Sequence, residues 1–256
     1  MPSEATEAGS KRRSWAEAFE VYLHPRVIGM LFLGFSAGLP FLLLFSTLSL
    51  WLRDAEVTRT SVGFFAWVGI TFSIKVFWAP VIDHLPVPLL TRLLGKRRSW
   101  MLLGQLGVIA GLLTIALINL QAVPVVSAAT GAVEMVSPDR FWVVCVALAA
   151  LLVAFSSATQ DVALDAYRIE AAPNDLQGGM AATYQLGYRI GLLAAGAGAL
   201  YVADFWSWQA SYVVMAALML VGMVTVFVIK EPETSRPAGA IFQEEHVARY
   251  MAGLGD

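Results

Sequence analysis

Read from charge to charge, the chain is a succession of long apolar runs. A helix rising ~1.5 Å per residue needs about 20 apolar residues to cross a ~30 Å hydrocarbon core. Nothing is charged between Arg26 and Arg53, which predicts a first span over Val27–Leu52. Lys75 is the only charge between Arg59 and Asp83, so a second span is expected over Ser61–Ile82. The uncharged stretch after Arg98 predicts a third, ending near Leu120 ahead of Pro124 and a polar patch at 127–130. Phe141 opens a fourth, uncharged until Asp161. A fifth covers Gly179–Val202 and carries Arg189, and a sixth lies between Asp204 and Lys230. The pattern predicts an all-α membrane protein with six transmembrane helices.

Composition agrees. Of 256 residues, 58% are hydrophobic and 14% charged, with a mean hydropathy of +0.67. Soluble domains run near ~45–50% apolar and ~25% charged, so too few polar residues remain to wrap six such runs as a soluble core. A net charge of -2 gives no basic excess for nucleic acid. Cys145 is the one cysteine, which excludes an intrachain disulfide and a cysteine-based zinc site. No cofactor or metal is expected.

Lysine and arginine orient the spans, because cytoplasmic loops collect them. With the N-terminus inside, Lys11, Arg12, Arg13, Arg26, Arg92, Lys96, Arg97, Arg98, Arg168, Lys230, Arg236 and Arg249 are cytoplasmic. Only Arg53, Arg59 and Arg140 fall outside, so both termini are expected in the cytoplasm. Within the tail 1–26, Trp15, Phe19 and Tyr22 share a helical face beside Lys11–Arg13, which suits a short helix lying on the inner leaflet. The apolar run that follows is too long for a cleaved signal, so a retained anchor is expected.

Charges inside spans are expensive and therefore functional candidates. Lys75, Asp161, Asp165 and Arg189 are such charges. Asp161, Asp165 and Arg168 share one helical face. Counting from Phe141, Asp161 falls about 30 Å down its helix, near the inner boundary, with Asp165 and Arg168 at or beyond the surface. Proton or substrate work and a structural ion pair both remain open for Asp161. Arg189 suits an anionic substrate group through its planar fork, or a pairing with Asp161. Small residues at spacing four, Gly34/Gly38, Gly107/Gly111 and Gly187/Gly191, predict close helix approach. Gly34-Phe35-Ser36-Ala37-Gly38 matches a hydrolase nucleophile pattern, but it lies within an apolar helix and His24, His84 and His246 all fall outside the spans. An intramembrane protease is not expected.

Three stretches carry a family resemblance. The first is Gly34–Pro40 with Ser46–Arg53. The second is Lys75–Asp83 with Gly95-Lys96-Arg97-Arg98-Ser99-Trp100. The third is Gln160–Arg168 with Tyr184-Gln185-Leu186-Gly187-Tyr188-Arg189. Together they resemble the N-terminal half of AmpG-type muropeptide permeases of the major facilitator superfamily, from about Tyr22 to Glu233. The resemblance implies proton-coupled import of anhydro-muropeptides across a bacterial inner membrane. By it, Asp161 carries the coupling, with Lys75, Arg189, Gln160, Tyr184, Gln185 and Tyr188 lining the cavity. Asp83, Arg97, Arg98, Asp165 and Arg168 become gating or structural charges. Related carriers of acetyl-CoA or drugs keep the fold and change the cargo. A non-transporting remnant is the third reading. The expected organisation is a tail at 1–26, a bundle at 27–230 and the start of a central linker at 231–256. A facilitator binds its cargo between two six-helix halves, so the expected partners are the bilayer, protons, the substrate and a second half.

Overall fold

A computed structural model describes residues 20–58, 68–118, 120, 123–126, 133–136, 138–171 and 173–232. In chain order they form α1 (Pro25–Asp54), α2 (Ile70–Ser73), α3 (Ala79–His84), α4 (Leu90–Leu94) and α5 (Lys96–Leu117). A hairpin of β1 (Val123–Val126) and β2 (Val133–Val136) follows. Then come α6 (Arg140–Ala171), α7 (Asp175–Phe205) and α8 (Trp208–Val228). Five of these, α1, α5, α6, α7 and α8, are long and apolar enough to cross a membrane. They coincide with the first, third, fourth, fifth and sixth expected spans.

The second span departs from expectation. Residues 59–67 lie outside the described residues, and the rest is broken into α2, a 3-10 stretch at Ile74–Phe77, and α3. Pro80 has no N–H and its ring would strike the Val76 carbonyl in a continuous helix. The chain therefore restarts at Ala79 with Pro80 in the first turn. The inner-leaflet helix falls mostly outside the described residues, with Lys11–Arg13, Trp15 and Phe19 among them; Val21–Leu23 form a single 3-10 turn. Residues 233–256 of the expected linker also lie outside. Between the third and fourth spans the expected loop contains the antiparallel β1–β2 hairpin, with Val123 opposite Val136.

The expected glycine pairs are where backbones meet. A Cβ on Gly34 or Gly38 would strike the carbonyl oxygens of Tyr184 and Tyr188, and one on Gly187 or Gly191 those of Leu31 and Phe35. The contact of α1 with α7 is thus reciprocal. A second seam sets Gly107 and Gly111 of α5 against Ser156 and Val153 of α6. Gly104 extends it onto Gln160.

Both α1 and α7 contain a five-residue π segment, Leu43–Thr47 and Ala194–Gly198. A π turn shifts the backbone bonds by one residue, as where the Leu48 N–H donates to the Leu43 carbonyl. Hydroxyls add donors in and beside these segments. Tyr212 donates to the Leu43 carbonyl at 3.1 Å, Thr47 to that of Ala195 at 2.9 Å, and Ser211 to that of Ala199 at 2.6 Å.

The buried interior has two apolar clusters. One holds Leu39, Leu48, Trp51, Leu112, Val146 and Tyr212. The other holds Val27, Met30, Leu33, Met101, Leu164 and Tyr167. Between them lies a polar layer of Ser36, Gln105 and Gln160, each essentially inaccessible to solvent. Gly222 of α8 closes this layer, since a Cβ there would meet Ser36 and Gln105.

Candidate functional site

Two groups of polar side chains stand at different depths. The first sits at the end of the bundle where α5 begins. Arg97 is its hub, with a side chain only 8% exposed. Its guanidinium donates to Asp83 Oδ1 at 2.6 Å and to Glu170 Oε1 at 2.6 Å, with Nε reaching both Glu170 oxygens at 3.1 and 3.2 Å. Glu231 accepts from the Arg97 and Arg98 backbone N–H groups at 2.7 and 3.1 Å, a carboxylate on a helix N-terminus. The chain enters α5 through Gly95 at φ 90°, where a side chain would be strained and would collide with Glu231. Arg98 spends its donors on the Val226 and Phe227 carbonyls that end α8. Lys96 donates to the Asp83 carbonyl at 2.6 Å.

The expected gating charges Asp83, Arg97 and Arg98 are therefore brought together. Sequence reasoning missed Glu170 and Glu231, which tie in the ends of α6 and α8. An acid two residues beyond Arg168 reads as a solvated helix end, and a contact across 134 positions leaves no periodic trace.

The second group lies deeper. α6 runs for 32 residues, ~48 Å of helix, longer than a ~30 Å hydrocarbon core. Glu170 marks the ionic layer, and Asp161 is about 14 Å further in at ~1.5 Å per residue. Asp161 neighbours Gln160 of the polar layer. One of its carboxylate oxygens is buried without a hydrogen-bond partner. The charges acting on it are Lys75 and Asp165. Its own charge in turn reaches the hydroxyls of Tyr184 and Tyr188 on α7. Those rings stand 6.2 Å apart.

Arg168 pairs with Asp165 at 3.3 Å and lies 5.7 Å over the Tyr184 ring. Among the described residues neither Lys75 nor Arg189 forms an ion pair. The pairing of Arg189 with Asp161 is thus not made. Arg189 projects with Gln185 on the exposed face of α7, among Leu186, Ile190 and Leu193.

Gln160 is buried in the polar layer, with a long 3.4 Å contact from its Nε2 to Ser36 Oγ. Ser36 donates to the Leu33 carbonyl at 2.9 Å. Gln105 was also missed; both of its amide atoms are buried without a protein partner.

Chemically, the deeper group offers a carboxylate with spare acceptor capacity, one nearby ammonium, and two phenols. A carboxylate so placed can take up and release a proton as its surroundings change. A guanidinium on an exposed apolar helix face costs roughly 2.5–3.5 kcal/mol at bilayer depth. That favours water or protein, rather than lipid, against this side of α7.

Comparison with known proteins gives a consistent answer. A family model described as acetyl-coenzyme A transporter 1 matches residues 27–204. The anhydromuropeptide permease of Escherichia coli is 32% identical over 234 residues, 91% of this chain and 43% of that protein. A Rickettsia felis protein named as transporter AmpG 4 is 32% identical over 219 residues, 85% of this chain and 48% of that one. An uncharacterised Haemophilus influenzae protein is 35% identical over 204 residues, 79% and 42% of the two chains. The chain spans less than half the length of these curated relatives.

Proposed function

The chain belongs to the acetyl-coenzyme A transporter family of the major facilitator superfamily, and from that membership we propose that it works as one half of a proton-coupled importer of anhydro-muropeptides. It is a multi-pass membrane protein whose relatives are transporters and permeases, not enzymes. In the proposal residues 27–230 are the N-terminal six-helix half, with the broken α2–α3 segment completing the second span. Both ends lie in the cytoplasm of a bacterium, and the membrane is the inner one. A second half faces the exposed side of α7 and completes a cavity at mid-depth.

Asp161 carries the proton. Lys75 and the phenols of Tyr184 and Tyr188 balance its charge, and Gln185 and Arg189 meet the polar and anionic groups of the cargo. The Arg97 cluster with Asp83, Glu170 and Glu231 latches one end of the bundle and opens during alternating access. The observation that carries the reading is Asp161, half-buried about 14 Å along α6 from Glu170, with one carboxylate oxygen buried and without a hydrogen-bond partner among the described residues, its charge reaching Tyr184 and Tyr188 on the helix whose outer side bears Arg189.

The test is uptake of radiolabelled anhydro-muropeptide by cells producing this chain together with a complementary half. Uptake that collapses with an uncoupler supports the proposal. Uptake indifferent to the proton gradient removes the coupling. The family's description favours a second cargo, a coenzyme A thioester. Competition by unlabelled acetyl-CoA at equal concentration separates the two.

A further inference from the structure

A groove of about 1070 Å³ runs between the first turns of α1 and the last turns of α8, lined by none of the residues assigned to transport. Its mouth is cationic. Arg26, at the start of α1, and Lys230, just beyond α8, line it with His24, and among the described residues no carboxylate does. The N-terminus of α1 adds the positive end of its dipole.

The negative end of α8, which would oppose this, is already occupied. Arg98 takes the Val226 and Phe227 carbonyls, and the Tyr167 hydroxyl donates to that of Lys230 at 3.1 Å. Glu231, the acid next to Lys230, is turned to the amides that open α5. Among the described residues neither Arg26 nor Lys230 forms an ion pair.

Below the mouth the walls are apolar. Ile28, Phe32, Leu220 and Val224 line the groove and are 40–61% exposed. From Lys230 back to Leu220 is about ten residues, ~15 Å of helix, which is half of a ~30 Å hydrocarbon core. The groove therefore joins a cationic site at the surface to an apolar channel one leaflet deep. A soluble anion would use only the mouth. A neutral lipid would leave the two cations unmatched.

We propose that this groove binds an anionic glycerophospholipid from the adjacent leaflet. Its phosphate lies between Arg26 and Lys230, and one acyl chain runs along Phe32, Leu220 and Val224. Juxtamembrane cations attract anionic lipid, each contributing about five-fold in affinity.

The test is thermal unfolding of the full chain in neutral detergent micelles doped with phosphatidylglycerol or with phosphatidylcholine of identical acyl chains. Phosphatidylglycerol is expected to raise the midpoint further. The concentration giving half that effect should rise about five-fold in R26Q or K230Q and about 25-fold in the double variant, with the phosphatidylcholine curve unchanged. Equal effects of the two lipids, or an undiminished preference in the double variant, would overturn the proposal. An equal rise with glycerol 3-phosphate would mean a soluble anion at the mouth, and would overturn it too. If the double variant does not fold, wild-type protein is photolysed with phosphatidylglycerol bearing a diazirine in its acyl chain. Adducts concentrated at Phe32, Leu220 and Val224 support the groove. Adducts spread evenly over exposed positions such as Leu148 and Phe155 refute it.

Discussion

Replacing Arg97 by alanine removes the one cation that Asp83 and Glu170 share. The guanidinium is 8% exposed, whereas the carboxylates are 45% and 27% exposed. Deleting one member of a fully buried pair costs roughly 3–5 kcal/mol, and an exposed pair contributes about 0–1 kcal/mol. A buried cation with partly wet partners falls between, so Arg97→Ala should cost about 2–3 kcal/mol. For a chain of this size that is a drop of about 5–10 °C in the unfolding midpoint, read in detergent with the full chain. Arg97→Lys keeps the charge but not the fork that reaches two acids at once, and should recover only part of the loss. Glu170→Gln on the alanine background removes the stranded charge and should restore at least ~1 kcal/mol. An alanine variant within ~0.5 kcal/mol of wild type, or strictly additive effects of Arg97→Ala and Glu170→Gln, would refute the shared-cation account.

Other expectations follow from the packing. Gly187→Ala places a methyl group against the Leu31 carbonyl and should cost about 1–3 kcal/mol by overpacking. Gly178→Ala, with nothing within 4 Å, should gain up to ~1 kcal/mol from helix propensity; equal behaviour of the two in a melting experiment would contradict the α1–α7 contact. Tyr212→Phe keeps the ring beside Trp51 but removes the hydroxyl's bond to the Leu43 carbonyl, which retains the Leu48 N–H, at a cost of about 0.5–1.5 kcal/mol. A neutral result in chemical unfolding would show that this hydroxyl does not tie α8 to α1. Arg189→Ala, on the exposed face of α7, should raise KM for an anionic cargo with little change in melting temperature; an unchanged KM would remove it from the cavity.

Much of the architecture was legible in the sequence because membrane spans obey a simple rule. A helix in hydrocarbon satisfies its own backbone, so charge-free length located α1, α5, α6 and α8, and a run broken only by Arg189 located α7. The glycine pairs were legible for a related reason: only a missing Cβ lets two backbones touch. The second span was harder. Its hydropathy is that of a membrane helix, and the sterics of Pro80 inside the run, not its polarity, decide where the helix stops.

The site was legible in part. Asp161 stood out because a charge inside an apolar run is expensive, although an ion pair accounted for it as readily as proton work. Glu170, Glu231 and Gln105 were missed because each looks ordinary where it stands. Their importance comes from partners that only folding brings near, such as Glu231 at the amides of Arg97 and Arg98. Ser36 drew notice for a pattern it does not serve, and its place is in the polar layer beside Gln160.

The central claim is that Asp161 couples cargo movement to protons. The direct measurement compares two modes of transport in vesicles containing the chain and its complementary half, wild type against Asp161→Asn. One mode is uphill accumulation of labelled anhydro-muropeptide under a proton gradient. The other is exchange of labelled for unlabelled cargo with no gradient. The account predicts that the variant loses accumulation and keeps exchange, since cargo contacts survive while the proton carrier is gone. Accumulation by Asp161→Asn at the wild-type level would contradict it.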